Sequence, residues 1–356
     1  MSGTVQPQLS VASPVLVTGG GGFLGTLLLE RLANAGVQAV SLDLHDSDFV
    51  HPGVRHVKGD ICDGQLVNDL FEQHRFVHVF HCAAMLAHDI EDEKSLWQSN
   101  VEGTRVVASA AVRFGVQSLV FTSSNCLWGR DMGRPVTERD VPEPIEIYGR
   151  SKWKAEQVLA EVGAQLPVTV IRCPTILDEG RLGLLAILFE FIAEGRKIWT
   201  VGGAKNRYQF IYAQDLITAC LLAAAAAKSL VVNIGSHDVP TLAETFQYVV
   251  DRAGSGSRLV AIPKGPAIAA MRLAHALRLS PLGPYQYRMI AEDFVFDTSL
   301  IKAELGWRPT LGNGEMLWRA YNYYRGNRTA IASRTNASAH RRGVALGILR
   351  ILKILS

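Results

Sequence analysis

Tyr148 and Lys152 are the two residues whose types and spacing most directly suggest chemistry. They stand four positions apart at the start of a stretch with helical spacing, residues 148–162, which puts both side chains on one helix face. A tyrosine ordinarily has a pKa of about 10, and a nearby ammonium lowers that pKa by stabilising the phenolate. Such a pair can exchange a proton with the hydroxyl of a bound molecule. An exposed pair on a helix surface is the alternative interpretation of the same spacing.

The position of Ser124 supports a catalytic role for Tyr148 and Lys152 over an exposed pair on a helix surface. It follows Ser123 at the end of a predicted strand, residues 118–123. Ligands of open parallel sheets gather at the carboxyl ends of the strands, and a serine there can hydrogen-bond the reacting oxygen. We therefore predict Ser124, Tyr148 and Lys152 as the catalytic residues of one site.

A glycine-rich segment, residues 18–25 (TGGGGFLG), lies between a predicted strand and a predicted helix. In this context one glycine forms a tight turn, a second admits a pyrophosphate close to the backbone, and a third, Gly25, lets the helix pack on the sheet. The free N–H groups at the helix start then bind the anion. Two registers fit, one beginning at Gly19 and one at Gly20, and each continues with Gly22. The segment predicts a dinucleotide site, and a flexible loop without a ligand is the alternative.

Two acidic residues follow predicted strands at positions suited to a dinucleotide. Asp43 ends the second strand about 20 residues beyond the loop, where a carboxylate accepts from a ribose 2′-OH and repels a 2′-phosphate. This position favours NAD over NADP, and Asp46 and Asp48 stand close enough to compete for the role. Asp60 ends the third strand, where it either bonds the adenine region or caps the following helix.

The elements that must position these residues alternate along the first half of the chain. Strand patterns fall at residues 15–18, 38–43, 54–58, 77–81, 118–123 and 168–172, with helical patterns at 23–35, 64–74, 95–114 and 148–162. Alternating elements predict an α/β fold with a parallel sheet covered by helices on both faces. We therefore predict a doubly wound, Rossmann-type domain over residues 12–180, to which later segments return.

The rest of the chain has a different rhythm. We predict a smaller C-terminal domain, mainly substrate-binding, at residues 181–325, a polar linker at 326–342 and a basic amphipathic tail at 343–356. An amphipathic stretch at 268–279 is interpreted as a helix packed on the core. Peripheral contact with a membrane surface is the alternative for this stretch. For the tail, membrane contact stands beside a packed terminal helix or a dimer contact.

Composition narrows the classes of function. The 356 residues are 48% hydrophobic and 19% charged with a formal net charge of +3, which indicates a globular protein that does not attract nucleic acid. The five cysteines are scattered without a CxxC pair, so we predict reduced thiols and no metal site. No signal peptide and no apolar run of about 18 residues are found, so we expect a cytoplasmic protein, peripheral at a membrane if the tail binds one.

In the order of its motifs the chain resembles the extended short-chain dehydrogenase/reductase superfamily, on the branch of NAD-dependent sugar epimerases and dehydratases. The resemblance covers roughly residues 14–325. It rests on the glycine segment, Asp60, HCAA at 81–84, Asn100, TSS at 122–124 and YGRSK at 148–152. These motifs in combination are specific for the superfamily.

The resemblance implies bound NAD, the same catalytic set, and a homodimer formed through the helices at 95–114 and 148–162. The residues assigned to the cofactor are Gly19, Gly22, Phe23, Leu24, Gly25, Asp43, Asp60, Ile61, Ala83, Asn100, Tyr148 and Lys152. Those assigned to the substrate are Thr175, Arg207 and Arg288.

Three departures from the family pattern bear on the substrate. Asn125 and Cys126 replace the Asp-Glu pair that follows the catalytic serine or threonine of 4,6-dehydratases, which argues against water elimination. Leu86 stands where galactose epimerases carry a lysine. RCPT at 172–175 replaces their Arg-x-x-Asn, so that only the hydroxyl of Thr175 remains for nucleotide recognition.

Three hypotheses of function follow. The leading one is an NAD-dependent epimerase or dehydrogenase that moves a hydride at a hydroxyl or keto carbon of a sugar or sugar nucleotide, with Tyr148 as acid and base. The second is a dehydrogenase or ketoreductase similar to the 3β-hydroxysteroid enzymes, acting on a lipophilic or lipid-linked substrate. The tail and the pair Pro174-Thr175 motivate it. The third is an NAD-sensing scaffold, which would need none of the three catalytic residues.

Overall fold

The computed structural model describes residues 11–86, 92–181, 183, 185–276 and 289–332. The strands within these residues are β1 (Val15–Thr18), β2 (Ala39–Asp43), β3 (Val54–Lys58), β4 (His78–His81), β5 (Ser118–Ser124), β6 (Val168–Cys173), β7 (Thr175–Leu177), β8 (Lys197–Val201), β9 (Phe210–Tyr212), β10 (Leu230–Asn233) and β11 (Arg258–Ile262). The helices are α1 (Phe23–Asn34), α2 (Gly64–His74), α3 (Glu93–Trp97), α4 (Thr104–Arg113), α5 (Ile147–Val162), α6 (Leu185–Ala193), α7 (Ala213–Ala226), α8 (Leu242–Ala253), α9 (Lys264–Ala276), α10 (Ser299–Leu305) and α11 (Asn313–Ala332). A π-helical turn, Gln98–Gly103, joins α3 to α4.

Seven of these strands form one parallel sheet in the order β3-β2-β1-β4-β5-β6-β10. The strand order reverses between β1 and β4, and ligands of doubly wound sheets bind outside the carboxyl ends of the strands at such a point. The last residues of β1, β4 and β5 are the polar Thr18, His81 and Ser124. The predicted α/β class and doubly wound parallel sheet are confirmed.

Alternating side chains give the sheet two hydrophobic layers. Val15 and Val17 of β1 pack with α1 and α7 on one face, whereas Leu16 packs with α2, α4 and α5 on the other. All residues of β1 and β4 are buried, as expected of parallel strands covered on both faces. The carboxyl edge of the sheet is therefore fixed from both sides.

The C-terminal half has a hydrophobic cluster of its own. It is built from Phe189 of α6, Val249 of α8 and Leu317 of α11, together with neighbouring apolar residues. Two pairs of short parallel strands, β7 with β9 and β8 with β11, belong to this half. Two elements of this half of the chain belong to the main sheet layer: β10 pairs with β6, and α7 packs on the face that α1 also covers.

The predicted linker begins too early. Residues 326–332 are the last turns of α11 rather than a linker. They are helical because Arg328 pairs with Glu190 of α6 and with Glu194 just after α6, each at 2.7 Å, and because Ile331 is buried. A polar residue of this stretch, Arg328, therefore forms ion pairs within the fold.

The amphipathic stretch predicted at 268–279 lies in a helix that begins earlier, at Lys264. Leu273 is 62% exposed, so the predicted packing on the core does not extend to this side chain. Residues 277–279 and the tail at 343–356 lie outside the described residues. No helix in the described part of the chain is both long and apolar enough to cross a membrane.

Candidate active site

The glycine loop turns sharply between β1 and α1. Gly19 has a φ of +72°, and its N–H donates to the carbonyl of Leu42 at 2.9 Å. A Cβ on Gly19 would lie 2.7 Å from the backbone of Ala83, and one on Gly20 would lie 2.1 Å from Ser41 Oγ. Both first glycines of the two possible registers are therefore required, for different reasons.

Gly25 carries the closest approach of the loop to α1. A Cβ there would lie 2.1 Å from the carbonyl oxygen of Gly19 and 2.7 Å from Gly20 Cα. Because these are backbone atoms, Gly25→Ala should displace the loop, lower the free energy of unfolding by about 3 kcal/mol and weaken NAD binding. Calorimetry with NAD and urea unfolding measure the two effects.

Gly64→Ala is the matched control. Gly64 begins α2, and a Cβ there would meet nothing within 4 Å. This substitution should leave NAD affinity unchanged and stabilise the helix by up to about 1 kcal/mol. Equal behaviour of the two variants would contradict the predicted role of Gly25.

The start of α1 fits a bound pyrophosphate. Its cap residue, Gly22, has no side chain to accept from the N–H groups of the first turn, and that turn contains no acidic residue. The N–H groups of Phe23 and Leu24 are thus available to an anion, which the helix dipole also attracts. The residues present fit the dinucleotide that the sequence predicts.

The two acidic candidates lie in different environments. Asp43 accepts from the N–H of Gly21 at 3.0 Å and from that of His45 at 2.9 Å, which holds its carboxylate beside the loop. Asp60 is exposed and accepts from the N–H of Cys62 at 2.9 Å.

The capping role considered for Asp60 belongs to Asp63. Asp63 is the N-cap of α2 and accepts from the N–H groups of Gln65 and Leu66. Ile61, also assigned to the cofactor, is buried against Gly103.

The catalytic candidates lie on two segments that approach each other, the end of β5 and the start of α5. Ser124 is the last residue of β5, and its Oγ accepts from the N–H of Cys126 at 3.1 Å. Tyr148 is the second residue of α5, and a Cβ on its neighbour Gly149 would lie 2.2 Å from the carbonyl oxygen of Cys126. The missing side chain at 149 thus allows α5 to approach the residues that follow Ser124.

Lys152, one turn further along α5, is buried and points back to β5. Its Nζ donates to the carbonyl of Thr122 at 2.8 Å and lies 4.3 Å from the centre of the Phe121 ring. Burial lowers the pKa of Lys152 to about 8.

The expected lowering of the Tyr148 pKa by Lys152 is not found in the protein alone. Burial raises the pKa of Tyr148, with Cys126 and Cys173 acting in the same direction. The ammonium of Lys152 is directed instead at the carbonyl of Thr122. In the ligand-free protein the phenol is therefore protonated at neutral pH.

Lys152 makes stability depend on pH. The pKa of its ammonium falls from 10.5 to about 8 on folding, so between these values the unfolded chain binds more protons. The contribution of Lys152 to the free energy of unfolding should rise with pH by about 3 kcal/mol across this window and be lost again as pH falls through 8. Urea unfolding at several pH values, compared with Lys152→Met, measures it, and a difference independent of pH would contradict the prediction.

Asn100 lies in the π-helical turn, a kind of distortion that often marks functional sites. It is buried, and its side chain accepts from the N–H of Met85 at 2.7 Å and donates to the carbonyl of Met85 and to Ser151 Oγ, each at 3.0 Å. Asn100 therefore joins the segment after β4 to α5 and positions both beside the site. Ala83, in that same segment, closes against Gly19.

The substrate candidates divide into three cases. The hydroxyl of Thr175 is 3.0 Å from that of Tyr208, which in turn accepts from Asn125 Nδ2 at 2.8 Å, so Thr175 is joined to the residue after Ser124. Arg207 is exposed, and its guanidinium donates to the carbonyl of Val239 at 3.4 Å. Arg288 lies outside the described residues.

Tyr208 was missed by the sequence analysis. It is buried and connects Asn125 to Thr175 through its hydroxyl. The sequence gives no indication of this role beyond the position of Tyr208 next to Arg207. Its hydrogen-bond partners, Asn125 and Thr175, lie far away along the chain.

Comparison with known proteins places the chain among relatives. It is 36% identical over 345 residues to the uncharacterized protein y4nG of Sinorhizobium fredii, covering 96% of this chain and 86% of that protein. It is 33% identical over 207 residues to N-acetyl-alpha-D-glucosaminyl-diphospho-ditrans,octacis-undecaprenol 4-epimerase of Escherichia coli O157:H7, covering 57% of this chain and 60% of that enzyme.

A solved structure shares the fold. UDP-glucose 4-epimerase of Thermotoga maritima, solved with UDP-glucose, superposes with a TM-score of 0.71 at 23% identity over 88% of this chain and 99% of that one. The NAD dependent epimerase/dehydratase family matches residues 15–235. This match confirms the predicted family, its NAD cofactor and the prediction of an enzyme. The chain belongs to the NAD dependent epimerase/dehydratase family.

Proposed function

We propose that the enzyme moves a hydride at a hydroxyl or keto carbon of a sugar carried on a diphosphate, with Tyr148 as the proton-exchanging group. The observation that carries this proposal is the close approach of α5 to the end of β5, which brings the segments of Tyr148 and Ser124 together. The glycine loop lies at the same edge of the sheet. NAD bound at that loop would exchange the hydride and Tyr148 the proton, both on one side of the fold.

The residues divide the work as follows. NAD, when bound, supplies the hydride acceptor and donor. The phenol of Tyr148 donates a proton to the keto oxygen in reduction and takes it back in oxidation, while Ser124 hydrogen-bonds the same oxygen. Burial, which raises the pKa of Tyr148, favours the protonated phenol that donates. Lys152 supplies a buried positive charge one helical turn away.

Epimerisation fits the site better than dehydration. Asn125 and Cys126 follow Ser124, and neither supplies the carboxylic acid that water elimination needs. An epimerase needs only that the keto intermediate rotate and receive the hydride on its other face.

A panel of sugar diphosphates tests the proposal. The purified enzyme with NAD would be incubated with UDP-glucose and UDP-N-acetylglucosamine, with chromatography of the sugars and absorbance of NADH as readouts. We expect an epimerised sugar or NADH with at least one of them. Absence of both from every sugar diphosphate, the lipid-linked one below included, would refute the proposal.

A lipid-linked sugar diphosphate is the second candidate substrate. The similarity to an enzyme named for a glucosaminyl-diphospho-undecaprenol supports it. Conversion of N-acetylglucosaminyl-diphospho-undecaprenol in preference to UDP-N-acetylglucosamine would favour this substrate class. The opposite preference would favour the sugar nucleotide.

The homodimer also belongs to this proposal. The helices that the resemblance assigns to the dimer are α4 and α5, and α5 carries Tyr148 and Lys152. Size-exclusion chromatography with light scattering should give twice the mass of 38.8 kDa. A monomer at all concentrations would remove this part of the proposal.

A further inference from the structure

Arg181 places a positive charge at the start of α1. Its guanidinium carbon lies 5.1 Å from the centre of the Phe23 ring. Phe23 is the first residue of α1 and follows Gly22, the cap residue without a side chain. The cation therefore lies beside the helix end that the glycine loop leaves open to an anion.

A closed turn holds Arg181 in this place. Its N–H donates to the carbonyl of Asp178 at 3.2 Å, and the Asp178 carboxylate accepts from the N–H of Glu179 at 2.8 Å. Gly180, with a φ of +84°, lies against the ring of Tyr323. The segment that leads to Arg181 is thus held in place by contacts at Asp178 and Gly180.

Within the described residues the Arg181 guanidinium lacks the ion-pair partner that such a group usually has. It is nevertheless partly buried, and burial lowers its pKa to about 10. The titratable groups that act on it are Cys173 and Tyr148, which are neutral at neutral pH because burial raises the pKa of each. A desolvated cation without a counter-ion is costly, which indicates that an anion joins it.

Other arginines stacked on rings in this protein differ in this respect. Arg252 lies over Tyr248 and Arg319 over Tyr212, and each also donates to the hydroxyl of its ring partner. Phe23 offers Arg181 no acceptor, and no hydrogen bond of the Arg181 guanidinium is found within the described residues. Its N–H groups can therefore donate to an anion.

We propose that Arg181 binds the diphosphate group of a ligand at the N-terminus of α1. This inference rests on the proposed function, in which NAD and the sugar substrate each carry a diphosphate. The planar guanidinium donates two parallel hydrogen bonds to phosphate oxygens, and the N–H groups of the first turn of α1 donate from the other side. The ring of Phe23 packs against the guanidinium and keeps it beside the N-terminus of α1.

Binding measurements with three probes test the proposal and separate its two sources. Ligand-free wild type, Arg181→Met and Arg181→Lys would be titrated with NAD, ADP-ribose and UDP by calorimetry. The matched control is Arg113→Met, since Arg113 lies 5.3 Å from the ring centre of Phe114 on an exposed surface far from the loop in sequence. Thermal melting of the ligand-free variants reports on folding separately.

If Arg181 binds the diphosphate of the cofactor, we expect Arg181→Met to weaken the binding of NAD and ADP-ribose by about ten- to a hundredfold. If it binds the diphosphate of the substrate, we expect the same loss for UDP. Arg181→Lys should lose less because it keeps the charge, and it gives the answer if the methionine variant does not fold. Unchanged affinities for all three probes in Arg181→Met, or losses equal to those of Arg113→Met, would overturn the proposal. An enzyme that binds NAD through Arg181 but converts no sugar diphosphate would refute only the proposed function.

Discussion

Tyr148→Phe is expected to lower kcat by about 10²- to 10⁴-fold while leaving the affinity for NAD nearly unchanged. The substitution removes only the hydroxyl that exchanges the proton, and the ring keeps its contacts at the start of α5. Burial raises the pKa of Tyr148 and keeps the phenol protonated at neutral pH, so the substitution removes the proton that would be donated. Steady-state kinetics on a sugar diphosphate that the wild type converts, together with NAD calorimetry, measure the two quantities.

Tyr248→Phe is the control for this prediction. Tyr248 is also half-buried and its hydroxyl also has a partner, Arg252, but it lies on α8 in the C-terminal half. Loss of that hydroxyl should leave kcat within about twofold of the wild type. If Tyr148→Phe retained full activity, Tyr148 would not be the acid and base, and a non-enzymatic role for the pair with Lys152 would return.

Local pattern was enough to predict the elements that carry the candidate site. The glycine loop before α1 and the helix that carries Tyr148 and Lys152 are predicted by spacing, because a tight loop and one helical turn are determined by neighbours in the chain. The end of β5 was predicted for the same reason, since the apolar run stops at Ser123 and Ser124.

Contacts distant along the chain could not be predicted in this way. The side chain of Lys152 is directed at the carbonyl of Thr122, and that of Asn100 at Met85 and Ser151, only because the sheet brings these segments together. The sequence alone suggested that Lys152 lowers the pKa of Tyr148, whereas burial raises that pKa. The strength of desolvation depends on the whole packed site rather than on the spacing of two residues.

A buried ion pair behind the site carries the second large prediction. Arg172 of β6 and Glu156 of α5 are both 4% exposed, with Arg172 Nη2 at 2.7 Å from Glu156 Oε2. Glu156 also accepts from Ser123 Oγ at 2.5 Å, and the Arg172 guanidinium lies 5.2 Å from the centre of the Trp128 ring. This network connects α5 to β5 and β6, so it holds the segments that carry Lys152 and Ser124 together.

Breaking this pair on one side should cost about 3–5 kcal/mol of the free energy of unfolding, because the remaining charge stays buried without its partner. Glu156→Gln and Arg172→Met are the single variants. Arg130→Met is the control, since the Arg130–Glu143 pair has the same chemistry but is more than half exposed on both sides, and its loss should cost at most about 1 kcal/mol. Urea unfolding measures all three.

The double variant, Arg172→Met with Glu156→Leu, distinguishes a pair that only stabilises the fold from one that also positions α5 against β5. Replacing both charges by apolar groups of similar size removes the cost of an unpaired charge, so stability should recover by about 1–3 kcal/mol relative to the worse single variant. The hydroxyl of Ser123 loses its acceptor in this variant, so β5 loses one of its hydrogen bonds to α5 just before Ser124. We therefore expect kcat to stay low while stability recovers, since packing alone does not restore the register of α5 against β5. Recovery of both would mean that the pair contributes only to stability, and recovery of neither would mean that the buried site cannot adapt to apolar side chains.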